Sequence, residues 1–126
     1  MDARAAFHPG RNIAVKVPSA LFERTVAFYK DVVGLSPLQI GRGSQGFEFG
    51  GMTLWIDAVN HATHTEVWLE LATEDVDAGS ASIVAAGGRV ADEIEPLEGR
   101  RAHWVIDPAG LVVLLTTPEG TTTKAP

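Results

Sequence analysis

The sequence contains no cysteine, so neither disulfide bonds nor thiolate metal sites can support the fold. Basic residues are also few: ten Lys and Arg stand against sixteen Asp and Glu, which gives a net charge of -6. Proteins that bind nucleic acids concentrate Lys and Arg, so a nucleic-acid partner is not expected. No apolar run approaches the roughly 20 residues that cross a bilayer, and residues 1–10 lack the apolar core of a secretory signal. We therefore expect a cytoplasmic protein with no membrane partner.

Apolar side chains, in contrast, are abundant: 45% of the 126 residues are hydrophobic and 21% are charged. This composition is typical of a globular domain with a buried core. The periodicity of the apolar positions divides the chain into two halves with the same order of elements. We predict a single domain over residues 1–126, with module one at about 10–58, module two at about 64–118 and a disordered tail at 119–126.

The first half begins with alternating apolar and polar residues, a pattern that indicates a strand. Ser19 is predicted to cap the N-terminus of a helix, and Gly34 fits its C-terminal stop. Three short strands follow, and the pair Gly50-Gly51 suits a hairpin turn between the last two. The predicted ranges are 12–17 for the first strand, 19–33 for the helix, and 38–40, 46–49 and 52–57 for the remaining strands.

The second half repeats this order with a period of roughly 55 residues. Its predicted strands are 65–72, 90–94, 102–106 and 111–116, and its helix covers 75–86 and ends at Gly87-Gly88. Asp107-Pro108-Ala109-Gly110 is predicted to form the final turn. The fold class is therefore α+β: two βαβββ modules that form a cup-shaped mixed sheet with helices on its outer face.

Motifs at both ends of the chain carry a family resemblance. The stretch 12–35, with Val-Lys-Val-Pro followed by Phe-Glu-Arg-Thr-Val-Ala-Phe-Tyr-Lys-Asp-Val-Val-Gly-Leu, resembles the opening of the glyoxalase, bleomycin-resistance and extradiol-dioxygenase proteins. The stretch 74–78 resembles the start of that family's second helix, and 107–110 resembles its final hairpin. The sequence is thus identified as a member of the vicinal oxygen chelate superfamily.

The resemblance implies a fold and a cavity, and this chain departs from the ligand set that the family's metalloenzymes use in that cavity. The four ligand positions, usually His and Glu, correspond here to Asn12, Trp55 (or Asp57, one alternation later), Trp68 and Leu114. Trp and Leu offer no lone pair to a divalent ion, and an Asn amide is a weak ligand. We therefore expect no metal and no cofactor.

The histidines do not replace the missing ligands in this interpretation. His61 and His64 are spaced like a metal-binding pair, but they flank a loop that enters a strand. His103 is adjacent to Trp104 and so points away from the cavity if Trp104 points into it. We interpret His103 as exposed or facing a helix.

Strand alternation assigns the remaining side chains to two faces. All three tryptophans share the cavity parity with two glutamates and Lys16. Two interpretations remain open for them: the tryptophans fill the cup as core residues, or they bind a ligand; the glutamates pair with Lys16 or are exposed, or they contact the ligand. The opposite parity forms the expected helix-packing core: Ile13, Val15, Val17, Phe47, Phe49, Leu54, Ile56, Val67, Leu69 and Leu71. The predicted ligand-binding residues are Asn12, Glu48, Trp55, Trp68, Glu70, Trp104 and Leu114.

These residues favour a small-molecule-binding protein of the bleomycin-resistance type. It would sequester a planar or cationic organic compound in an aromatic, acidic cavity without a metal. The alternative is an enzyme of the same fold, a lyase, isomerase or dioxygenase, either with displaced metal ligands or metal-free with Glu48 or Glu70 as general base. The resemblance further implies a homodimer.

Overall fold

The computed structural model describes residues 6–118; the predicted tail at 119–126 lies outside the described residues. In chain order the elements are β1 (His8–Pro9), β2 (Asn12–Pro18), a helical segment made of a 3-10 turn (Ser19–Leu21), α1 (Phe22–Ala27) and a wide π-type stretch (Phe28–Val33), then β3 (Pro37–Gly41), β4 (Ser44–Phe49), β5 (Met52–Val59), β6 (Glu66–Ala72), α2 (Val76–Ala85), β7 (Arg89–Val90), β8 (Ala102–Ile106) and β9 (Val112–Thr116).

The chain divides into two compact units. The N-terminal unit comprises Asn12–Trp68, and the C-terminal unit comprises the segment up to Arg11 together with the chain from Leu69 onward. The boundary falls within β6, whose first residues pair with β2 and whose last residues pair with β9. The organisation into one domain stays a prediction.

The N-terminal unit contains a mixed sheet. β3 pairs antiparallel with β4, and β4 pairs antiparallel with β5. β5 runs parallel to β2, which pairs antiparallel with the start of β6. The helical segment between β2 and β3 makes the parallel pairing of β2 and β5 possible, because parallel strands need a long crossover.

The core of the N-terminal unit lies between this sheet and the helical segment. Its buried residues are Val17, Phe47, Leu54 and Ile56, and the partly buried residues packed against them are Ile13, Val15, Phe22, Val26, Tyr29 and Leu35. The predicted helix-packing parity is thereby confirmed for these strands. Phe49 and Val67 are exceptions, since both are exposed near strand ends.

The helical segment covers the predicted range, but Ser19 does not cap it. The Ser19 hydroxyl donates instead to Oδ1 of Asn60 at 2.6 Å, and Pro18 occupies the N-cap position. The prediction was wrong because the Asn60 amide oxygen, distant in sequence, is close enough to accept the hydroxyl. Gly34 ends the segment as predicted, with a left-handed φ of 84° that only glycine adopts without strain.

The C-terminal unit also contains a mixed sheet. The end of β6 runs parallel to β9, β9 pairs antiparallel with β8, and β8 pairs antiparallel with β7. β1 adds a short antiparallel partner to β6. Leu69, predicted as core, is exposed.

Helix α2 begins at a side-chain cap. The Asp75 carboxylate accepts the N–H groups of Asp77 and Ala78, at 3.1 and 3.0 Å, which satisfies donors that the first turn leaves without helical partners. The predicted helix 75–86 therefore matches α2 within one residue at each end.

The predicted strand 90–94 is much shorter in the structure. β7 ends at Val90; Ala91 still donates its N–H to the Trp104 carbonyl at 2.8 Å, and the chain turns from Asp92 onward. The reason is Asp92, whose Oδ1 accepts the Trp104 N–H at 2.8 Å, so a side chain takes the bond that a continuing strand would supply.

The α+β fold class with mixed strand pairing is confirmed, and both halves carry the predicted order of elements. The hairpin turn is confirmed too: Gly50 and Gly51 both have positive φ, 62° and 87°, as a two-residue turn requires. Within residues 6–118 we find no helix that is long and apolar enough to span a membrane.

Candidate functional site

Two tryptophans flank an alanine on three adjacent strands of the N-terminal unit. Ala14 on β2 is the register partner of Trp55 on β5 and of Trp68 on β6. Side chains of register partners project from the same face of a sheet. Trp55, Ala14 and Trp68 therefore form a row in which a methyl group separates two indoles, and we call it the Trp–Ala–Trp row.

Both indoles of the row are held by hydrogen bonds. Trp55 Nε1 donates to Oδ1 of Asn12 at 2.8 Å, and Trp68 Nε1 donates to Oε1 of Glu66 at 2.9 Å. Both rings are only partly buried. The row therefore presents aromatic surface whose orientation is fixed before any ligand arrives.

Lys16 lies beside the row. Its ammonium group is 4.2 Å from the centroid of the Trp68 ring and 2.9 Å from Oδ2 of Asp57. The other carboxylate oxygen of Asp57 accepts the Ser44 hydroxyl at 2.7 Å. Lys16 is only 8% exposed, so the ion pair lies in a region where water screens charge weakly.

Glu48 has an exposed setting, one of the alternatives that the sequence leaves open. It is the register partner of Thr53, but it is exposed, and its Oε2 accepts the Gly51 N–H at 2.9 Å. This bond supports the Gly50-Gly51 turn. A ligand role for Glu48 stays a prediction.

The remaining predicted residues belong to the C-terminal unit. Glu70, Leu114 and Trp104 are register partners on β6, β9 and β8, so they share one face. They are 7%, 6% and 7% exposed. Trp104 Nε1 donates to the Glu95 carbonyl at 3.0 Å, which satisfies the polar atom of a buried ring. This face is packed, whereas the Trp–Ala–Trp row is partly exposed.

Glu70 is the buried carboxylate of this face. Its Oε1 accepts the Arg11 N–H at 2.6 Å. It also lines a cavity of about 200 Å³, together with residues 8–11, Ala72 and residues 116–118. The C-terminal unit thus has a small cavity with a carboxylate in its wall.

His103 lies between two carboxylates. Its Nε2 is 2.7 Å from Oδ1 of Asp77 on α2, and its Nδ1 is 2.8 Å from Oδ2 of Asp92. The hydrogen bond to Asp77 is the largest cause that raises the pKa of His103 above 6.5, Asp92 adds to it, and desolvation opposes both. Because carboxylates only accept, both bonds form together only when both ring nitrogens carry protons. His103 therefore faces helix α2, one of the two settings that the sequence predicted.

Within the described part of the chain, His61 and His64 belong to no group of three side chains that could hold a metal ion. His61 is exposed, and His64 Nε2 is 3.1 Å from Oε2 of Glu66. His64 therefore steadies the carboxylate that accepts the Trp68 indole N–H.

The residues that the resemblance matches to metal-ligand positions do not fit a metal ion. The Asn12 amide oxygen accepts the Trp55 N–H, Trp68 offers only an N–H donor, and Leu114 is a hydrocarbon. Asp57, the alternative second ligand, is paired with Lys16. Over residues 6–118, His, Cys, Asp and Glu side chains nowhere gather in a group of three that could hold a metal.

Two parts of this site are not predicted from the sequence. Alternation places Ala14 on the cavity parity without a role, and it predicts Lys16 only as a partner for glutamates. The signal for Lys16 was present, since a lysine alternates with Asn12 and Ala14 on an otherwise apolar strand. No local signal marks Ala14, because its role comes from its register partners.

Known proteins with similar sequences or structures share this fold. Residues 13–121 match the model of the glyoxalase-like domain, so the chain belongs to that family, within the vicinal oxygen chelate superfamily that the motifs predicted. The Mn(II)-bound glyoxalase from Novosphingobium aromaticivorans is 26% identical, with a TM-score of 0.67 over 90% of this chain and 40% of that chain.

Two further solved structures share the fold. A variant of homoprotocatechuate 2,3-dioxygenase from Brevibacterium fuscum, in complex with HPCA, is 17% identical, with a TM-score of 0.64 over 98% of this chain and 35% of that chain. A hypothetical protein from Bacillus halodurans is 9% identical, with a TM-score of 0.66 over 94% of this chain and 99% of that chain. The chain thus spans 40% and 35% of the glyoxalase and the dioxygenase. The search of curated proteins gave no match.

Proposed function

We propose that the protein binds and sequesters a planar organic compound on the Trp–Ala–Trp row, without a metal ion. One observation carries this proposal: Ala14 is the register partner of both Trp55 and Trp68. Neighbouring strands lie about 4.8 Å apart, so the two tryptophan Cα atoms are separated by roughly 10 Å with only a methyl group between them. That spacing suits a flat ring stacked against an indole.

The fixed indoles support the same proposal. A ligand that stacks on a mobile side chain must first order it, and that ordering costs binding free energy. Here Asn12 and Glu66 already hold the two rings through their N–H groups. The residues at the ligand positions support the metal-free part, because they offer a divalent ion no suitable set of lone pairs.

The size of residue 14 gives the sharpest test. Ala14→Leu would fill the space between the two indoles. We therefore expect at least a tenfold loss of affinity, about 1.4 kcal/mol, for planar aromatic compounds, measured by isothermal titration calorimetry. Ala81→Leu, the same change at an exposed position of α2, should leave the affinity unchanged. Unchanged binding by folded Ala14→Leu protein would refute the row as the site.

Elemental analysis tests the metal-free part. We expect no stoichiometric zinc, nickel, iron or manganese in the purified protein. One equivalent retained against a mild chelator would instead support the metalloenzyme chemistry of related folds.

A second candidate function is metal-free catalysis with Glu70 as general base. The observation in its favour is the cavity of about 200 Å³ with this buried carboxylate in its wall. Mass spectrometry of compounds recovered after binding tests it. A product that forms with the unmodified protein, and does not form with Glu70→Gln, would favour the enzyme.

A further inference from the structure

The Trp68 ring already binds a cation from its own chain. The Lys16 ammonium lies 4.2 Å from the ring centroid, within the distance at which the negative face of an indole attracts a positive charge. A ligand cation would seek the same attraction. The aromatic surface of the row is therefore not equally open to every planar compound.

Two features hold Lys16 in this position. On β2 it is the register partner of Asp57 on β5 and of Glu66 on β6, so its side chain lies on the same face as both carboxylates. Its ammonium is 2.9 Å from Asp57, and its side chain is only 10% exposed. Moving Lys16 away would leave a largely buried carboxylate without its positive partner, which is costly.

The two carboxylates beside the row have partners within the chain. Asp57 is neutralised by Lys16 and also accepts the Ser44 hydroxyl. Glu66 accepts the Trp68 indole N–H and lies 3.1 Å from His64. Both carboxylates are therefore already engaged by groups of this chain.

We propose that the planar compound bound by the Trp–Ala–Trp row is uncharged, and that Lys16 is the residue that excludes cations. This inference rests on the proposed function and narrows the planar or cationic class that the sequence predicted. A cation on the Lys16 side of the Trp68 ring must displace the ammonium and leave Asp57 unpaired. A cation on the opposite side meets a like charge across the ring, while an anion meets the carboxylates of Asp57 and Glu66. An uncharged ring meets neither penalty.

Three bicyclic probes of similar size and different charge test the proposal on the unmodified protein. They are 2-naphthol, which is neutral, N-methylquinolinium, which is cationic, and 2-naphthoate, which is anionic, measured by isothermal titration calorimetry near neutral pH. We expect 2-naphthol to bind about tenfold more tightly than N-methylquinolinium, the range that one cation–π contact spans. Equal or tighter binding of the cation would overturn the proposal.

A pair of variants assigns the exclusion to Lys16. Lys16→Met frees the ring but leaves Asp57 negative, whereas Lys16→Met combined with Asp57→Asn frees the ring and keeps the charge balance. In the double variant N-methylquinolinium should bind about tenfold more tightly, and 2-naphthol should change less than about threefold. A folded double variant that still rejects the cation would overturn the role of Lys16. If no probe binds the unmodified protein, the proposed function itself fails, which is distinct from equal binding of neutral and cationic probes.

Discussion

The two halves of the chain, β2 to β5 and β6 to β9, carry the same order of elements, but the two compact units use their sheets differently. In the N-terminal unit, Trp55 and Trp68 remain partly exposed, and their N–H groups bind side chains of Asn12 and Glu66. In the C-terminal unit, Trp104 is 7% exposed, and its N–H binds a backbone carbonyl. One unit thus presents aromatic surface, and the other packs it. Tryptophans on strands with the same alternating pattern can therefore have different roles.

The polar groups differ between the units in the same way. The N-terminal unit has its ion pair, Lys16 with Asp57, on the face that carries the tryptophans. The C-terminal unit has its cluster, His103 with Asp77 and Asp92, next to helix α2. We therefore expect changes in the first unit to alter binding and changes in the second to alter stability.

The largest effect should come from Trp104→Ala. Removal of a buried tryptophan costs its transfer free energy and leaves a cavity, so unfolding should become easier by about 3–5 kcal/mol in urea titrations. Trp68→Ala serves as the matched control. If Trp104→Ala leaves the unfolding midpoint near that of the unmodified protein, our interpretation of the Trp104 face as packed is wrong.

Trp68→Ala should have the next largest effect, and on affinity more than on stability. Truncation of an aromatic anchor commonly weakens binding by about 1–3 kcal/mol. Calorimetry with 2-naphthol measures the affinity, and urea unfolding measures the stability. A loss of stability without a loss of affinity would place Trp68 with Trp104 as a packing residue.

The edge strands β3 and β7 also differ, and the difference makes the prediction of a homodimer more specific. β3 exposes Leu38 by 43% and Ile40 by 69%, whereas β7 is only two residues long. An exposed apolar edge strand favours pairing with another copy, and an added lysine opposes it. Ile40→Lys should weaken self-association about tenfold in light scattering, and Val90→Lys should not. A 13.4 kDa monomer at every micromolar concentration would contradict the dimer.

The smallest effect concerns pH and His103. The pKa of His103 is raised in the folded protein, so its stabilisation is complete below 6.5 and is lost as pH rises through the folded-state pKa. Because Asp77 is largely exposed, the contribution should be at most about 1 kcal/mol. Melting temperatures measured at pH values below 6.5 and above the folded-state pKa of His103 give the size of this contribution. His103→Gln should remove the pH dependence, and a variant that keeps the full pH dependence would assign it to another group.

The sequence by itself determined most of the elements and most of their faces. Side chains alternate along a strand with period two, so the apolar positions of β2, β4 and β5 located the helix-packing core without knowledge of the fold. Gly34 and Gly50-Gly51 marked a helix end and a hairpin, because these sites require left-handed φ values. The metal-ligand positions could be compared with the family because the motifs aligned them along the chain.

Only the tertiary structure decided which side chains meet. Trp55 and Asn12 are 43 residues apart, and their hydrogen bond depends on the register between β2 and β5. Register is set by packing and hydrogen bonding across strands, which a local pattern does not encode. For the same reason no local pattern predicts that the Lys16 ammonium lies over the Trp68 ring, or that Trp104 is buried while Trp68 is partly exposed. Alternation fixes the face of a side chain, but its neighbours on that face depend on how distant strands pair.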